Sequence, residues 1–144
     1  MLRRLHPIAG IVGFLTIVTF WTSTVGSELF GSTDTIIAVK LAIPWGFLIL
    51  VPALAIAGAT GFRMAGTSSE PRIAAKKRRM PLIAGNGILI LIPTALTLAT
   101  LAARREFGSL FYAAQAIELV AGAANILLMS LNIRDGLRLS GRLK

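Results

Sequence analysis

Two ionisable side chains, Lys40 and Glu118, fall inside long apolar runs and are the first candidates for chemistry in this chain. A charge held away from water is costly, on the order of 2.5 to 3.5 kcal/mol at the centre of a membrane helix and less toward its ends. Such groups pair, neutralise or do work. Measured from the starts of the apolar runs that carry them, at about 1.5 Å per residue, their depths differ by roughly 6 Å, a gap that a lysine side chain largely spans. A direct Lys40–Glu118 pair is one of two arrangements open, and Pro44, which lacks an amide hydrogen, leaves the Lys40 carbonyl as a further polar group nearby. The alternative sends Lys40 outward to the headgroups and leaves a protonated Glu118 bonded to Gln115 or Asn125.

Glu118 belongs to a wider pattern. Gln115, Glu118, Gly122, Asn125, Met129 and Asn132 follow spacings of 3, 4, 3, 4 and 3, which is one face of a helix. His6, Ala9, Gly13, Thr16, Phe20, Ser23 and Ser27 form a second stripe, and Asn86, Ile90, Pro93, Thr97 and Thr100 a third. Polar groups avoid lipid, so these stripes are expected to meet in a semi-polar interior whose seam includes Lys40, Asn86, Gln115, Glu118, Asn125 and Met129. Two uses of such a seam stand open. One is interhelical hydrogen bonding, worth about 0.6 to 2 kcal/mol per contact; the other is a ligand-lined cavity.

Redox and metal chemistry have few residues to draw on. His6 is the only histidine and cysteine is absent, so a multi-histidine metal centre and covalent haem attachment are excluded, and no metal site is expected. One histidine cannot supply the usual axial pair of a b-type haem within a single chain. His6 with Met80 or Met129 is the remaining haem option, and a quinone in the interior is another; the plainer role for His6 is an interfacial anchor beside Arg3 and Arg4. No nucleophile elbow, phosphate-binding loop, HExxH or paired-carboxylate motif occurs, so no catalytic residues are assigned.

The elements that position these residues follow from composition. The 144 residues are 55% hydrophobic, with a mean hydropathy of +0.76, too apolar for an ordinary soluble domain. Apart from Glu118, no charge occurs between Arg4 and Glu28, Lys40 and Arg63, Arg79 and Arg104, or Glu106 and Arg134. A bilayer core takes about 20 apolar helical residues, so the expectation is an all-α integral membrane four-helix bundle forming one transmembrane domain over residues 1–144. Its helices are placed near 7–27, 35–62, 81–103 and 109–133. Val25-Gly26-Ser27 resembles a secretory cleavage site, but the apolar run before it exceeds the usual signal core of about 7 to 15 residues.

The formal charge of +9 reads as topology rather than nucleic-acid binding, because the charges lie between the apolar runs. Arg3 and Arg4, the segment from Arg63 to Arg79, and the tail with Arg134, Arg138, Arg142 and Lys144 are strongly basic. The other two connections hold Glu28 with Asp34, and Arg104, Arg105 with Glu106. The positive-inside rule then places both termini in the cytoplasm. The run Lys76-Lys77-Arg78-Arg79 is also suited to anionic lipid.

Arg3-Arg4-Leu5-His6-Pro7-Ile8-Ala9-Gly10 shares five of eight residues with Arg78-Arg79-Met80-Pro81-Leu82-Ile83-Ala84-Gly85. Phe30-Gly31-Ser32 recurs as Phe107-Gly108-Ser109, and Gly61-Phe62-Arg63 is echoed by Asn132-Ile133-Arg134. These recurrences suggest a duplicated helical hairpin. Kinks are expected at Pro44, Pro52 and Pro93, where the helical carbonyl partners are lost.

Through Arg-Arg-Leu-His-Pro at its start and Arg-Asp-Gly-Leu-Arg-Leu-Ser-Gly-Arg near its end, the whole chain resembles small four-helix inner-membrane proteins of bacteria with no established activity. The resemblance implies a multi-pass protein of the bacterial inner membrane and assigns no site residues. With short loops and no reaction motif, the leading expectation is a non-catalytic subunit or assembly partner of a larger membrane complex, a redox complex included. A haem- or quinone-binding electron-transfer module and a small transporter using Glu118 are the rivals. The expected partners are the lipid bilayer and a second membrane protein or further copies of the chain.

Overall fold

The computed structural model describes residues 2–142, with side chains from residue 4. Over that range the chain forms four helices and no strands: α1 (Leu2–Phe30), α2 (Thr33–Ala65), α3 (Pro71–Ala103) and α4 (Ser109–Leu139). All four are long and apolar enough to cross a membrane. Short connections at 31–32, 66–70 and 104–108 make successive helices antiparallel. The order around the bundle is α1, α2, α3, α4, with α4 closing back on α1. Helices α2 and α4 therefore sit on a diagonal, as do α1 and α3.

The helices outrun the expected spans, most of all where the charges lie. The segment from Arg63 to Arg79, read as a cytoplasmic loop, is a loop only over 66–70. The reason is local. Glu70 Oε2 accepts the Ile73 amide at 3.0 Å as an N-cap, and Pro71 occupies the first turn, where its missing N–H has no cost. Ala74, Ala75, Lys76, Lys77, Arg78 and Arg79 are then good helix formers, so the basic run lengthens α3. Likewise Arg134 and Arg138 lie on the last turns of α4. Arg4, the 66–70 loop and the ends of α3 and α4 gather at one basic end of the bundle. The Arg3 side chain and Lys144, counted above among the basic anchors, lie outside the described residues.

Proline behaves differently in the two long central helices. α2 remains helical through Pro44 and Pro52. In α3 the disturbance precedes Pro93, as a π turn over Gly87–Leu91 in which the Ile92 amide donates to the Gly87 carbonyl, five residues back. The first hairpin, formed by α1 and α2, has no such turn.

The π turn decides which face of α3 is buried. An extra residue in one turn rotates everything beyond it by about 100°. Ile90, Pro93, Thr97 and Thr100, expected to line the interior, are exposed, while Ala95, Leu98, Ala99 and Ala102 are buried in their place. The displaced threonines are satisfied locally, Thr97 Oγ1 donating to the Pro93 carbonyl at 2.8 Å and Thr100 Oγ1 to that of Leu96 at 2.9 Å. In α1 Ala9, Gly13 and Ser27 of the expected stripe are buried, with Ile17 and Thr24 in place of Thr16 and Ser23. Two glycines allow aromatic rings to close the bundle. Any side chain at Gly46 would meet the Phe20 ring, and one at Gly122 would come within 3.0 Å of Trp21.

Candidate functional site

The α4 stripe forms a buried column along the bundle. Gln115, Glu118, Gly122, Asn125, Met129 and Asn132 are all buried, and the rhythm continues to Asp135. Polar partners come from α2 and α3, at different heights.

The station remote from the basic end holds the ion pair. Lys40 Nζ donates to Glu118 Oε2 at 2.6 Å and approaches Thr24 Oγ1 of α1 at 3.4 Å. Lys40 is only 1% exposed, so it does not extend outward to the surface. It lies seven residues into α2 and Glu118 nine into α4, which reduces their difference in depth to roughly 3 Å. The two side chains thus join the diagonal helices. One helical turn away from Glu118, the buried Gln115 Oε1 has no hydrogen-bond partner.

Beside this station lies a cavity of about 50 Å³, lined by Thr24, Glu118 and Gly122 together with apolar side chains that include Trp21, Phe47 and Leu50. It has room for a few water molecules, against the roughly 300 to 1,000 Å³ of a typical small-molecule pocket. Trp21 Nε1 donates to the Leu119 carbonyl at 3.0 Å, which ties α1 to α4 at the same level.

The middle station is an amide pair. Asn86 Nδ2 donates to Asn125 Oδ1 and to the Ala121 carbonyl, both at 2.8 Å, and Asn125 Nδ2 donates to the Ile83 carbonyl at 3.3 Å. Asn125 is completely buried, and its amide is engaged by Asn86 and the Ile83 carbonyl rather than by Glu118. Below it Met129 packs in an apolar cluster with Ile17, Leu50 and Ile83.

At the basic end Arg79 Nη1 donates to Asp135 Oδ2 at 2.6 Å and to Asn132 Oδ1 at 3.3 Å. Asn132 Nδ2 also approaches Met80 Sδ at 3.7 Å. Arg79 and Asp135 were not picked out as site residues from the sequence. The signal was present, because Asp135 follows Asn132 by three on the same stripe.

The haem candidates occupy three separate settings. His6 Nδ1 lies 3.0 Å from the Ala57 carbonyl and 3.1 Å from Thr60 Oγ1, bracing α1 against α2. Met80 meets Asn132, and Met129 is enclosed by hydrocarbon. Among the described residues, no group of three or more His, Asp or Glu side chains gathers where it could hold a metal ion. No family model matches the chain, and comparisons with curated proteins and with solved structures find no match.

Proposed function

We propose that this chain is a non-catalytic, multi-pass subunit or assembly partner of a larger complex in the bacterial inner membrane. The observation that carries this reading is that the interior polar groups are engaged chiefly with one another. Lys40 is tied to Glu118, Asn86 to Asn125, Arg79 to Asp135 and Asn132, and His6 to α2. With connections of two to five residues, what the protein offers lies on the outer faces of its helices and at its two ends. Isolation in native-membrane discs, followed by native mass spectrometry, is expected to show one membrane protein bound at fixed stoichiometry. A free monomer would count against the proposal, and a Soret band in the visible spectrum would favour an electron-transfer module instead.

The Lys40–Glu118 pair specifically favours a second reading, a small transporter that moves protons or cations, since a carboxylate inside the membrane is a functional candidate by default. Ion flux in liposomes that is abolished by Glu118→Gln would establish it over the first.

In either reading the basic end faces the cytoplasm, as the positive-inside rule requires. The native chain has no cysteine, so Ser32→Cys and Ser69→Cys can be labelled without background. Both positions are exposed and lie at opposite ends. An impermeant maleimide added to intact cells is expected to label Ser32→Cys and spare Ser69→Cys. The reverse pattern would invert the orientation.

A further inference from the structure

The helical extensions of α3 and α4 meet at the basic end, and charge there is unevenly matched. Asp135 Oδ2 accepts from Arg79 at 2.6 Å, while Oδ1 has only a loose contact with the half-exposed Arg134 Nε at 3.7 Å. The other carboxylate at this end, Glu70, caps α3. The four remaining acidic residues, Glu28, Asp34, Glu106 and Glu118, belong to the opposite half of the bundle.

Two half-buried cations, Lys76 and Arg138, have to share Asp135 with Arg79 and Arg134. Lys76 lies one turn before Arg79, and its Nζ stands over the backbone of Gly136, 3.3 Å from where a side chain there would begin. Arg138 lies one turn beyond Asp135 on the same face of α4, with its Nε buried and unpartnered. His6, the nearest titratable group on α1, brings no negative charge. By contrast Arg63, Arg72 and Arg78 are exposed and solvated, as simple topology anchors are. One carboxylate among four cations leaves an excess of partly desolvated positive charge, and the natural remedy is a bound anion.

We propose that Lys76 and Arg138 form a binding site for a phosphate-class oxyanion, held above Gly136 between the ends of α3 and α4. A guanidinium fork suits two oxygens of a phosphate and an ammonium supplies a point charge for a third. Asp135 lies on the same wall, and its repulsion of the ligand is outweighed by the four cations around it. The oxyanion has two sources, a phospholipid headgroup or soluble phosphate.

The test uses the full chain in neutral phosphatidylcholine discs, titrated separately with phosphatidylglycerol and with inorganic phosphate while thermal stability is followed. Saturable stabilisation by either ligand is expected, and which one acts identifies the source. Lys76→Gln/Arg138→Gln is expected to weaken binding by about ten-fold or more, the effect of losing charged hydrogen bonds. Arg72→Gln/Arg78→Gln, with the same loss of charge, is expected to change it by less than about two-fold, since exposed charges contribute little. Equal weakening by the two pairs, or no saturable response in the parent, would overturn the proposal. If the first pair does not fold, Arg138→Lys keeps the charge and removes the fork. Weaker binding by that variant supports the site, and unchanged binding overturns it.

Discussion

Lys40→Met and Glu118→Gln are each expected to destabilise the protein by about 3 to 5 kcal/mol, and the double variant by clearly less than the sum. The pair is buried, 2.6 Å long, and supported by only one further close polar contact, to Thr24. Removing one partner leaves the other charge in a surrounding that is largely hydrocarbon, a larger penalty than the pair itself returns. Replacing both partners removes the stranded charge, leaving a Met and a Gln of similar volume. The measurement is a double-mutant cycle on unfolding midpoints in mild detergent. Strictly additive losses would mean that the two residues act independently, and Glu118 would then stand alone as a proton or ligand site.

Deleting Leu89 is expected to leave the fold intact, within about 1 kcal/mol of the parent, whereas deleting Leu96 is expected to abolish a well-behaved folded species. Both leucines are exposed, so residue identity does not separate them. Register does. Leu89 lies inside the π turn, where removing one residue returns α3 to plain α-helix and keeps both flanking faces in place. Removing Leu96 leaves the π turn and rotates Leu98, Ala99 and Ala102 by about 100° away from α4. Lipid solvates a displaced leucine as well as the core does, so the loss is one of close packing. Leu98 and Ala102, both 0% exposed, have no slack to absorb it. Size-exclusion profiles and thermal midpoints would read the difference, and equal damage from the two deletions would refute this account of the turn.

The same π turn marks where the sequence stopped being legible. Hydropathy was enough to count four helices, because each apolar run is longer than a bilayer core. From depth along the helices the pairing of Lys40 with Glu118 was legible as one of two options, the other being a lysine turned outward to the headgroups. The inner face of α3 was not legible, since Ile90, Pro93, Thr97 and Thr100 keep a regular helical spacing that carries no mark of the π turn at Gly87–Leu91. Nor were the helix ends, where charge from Arg72 to Arg79 was read as a break although lysine, arginine and alanine all sustain a helix. The Arg79–Asp135 contact went unseen for the same reason, because both residues had been assigned to loops.

The partners of the buried ion pair are 78 residues apart in the chain, which has a consequence for biogenesis. In the orientation proposed here, Lys40 enters the membrane with the first hairpin while Glu118 has yet to be synthesised. Until then its available contact is Thr24, on the same hairpin. The first half of the protein is therefore born incomplete, carrying a charge that only the last helix can neutralise. Arrival of α4 closes the bundle, and a chain cut short before it would display an unmatched lysine to the quality-control machinery of the membrane.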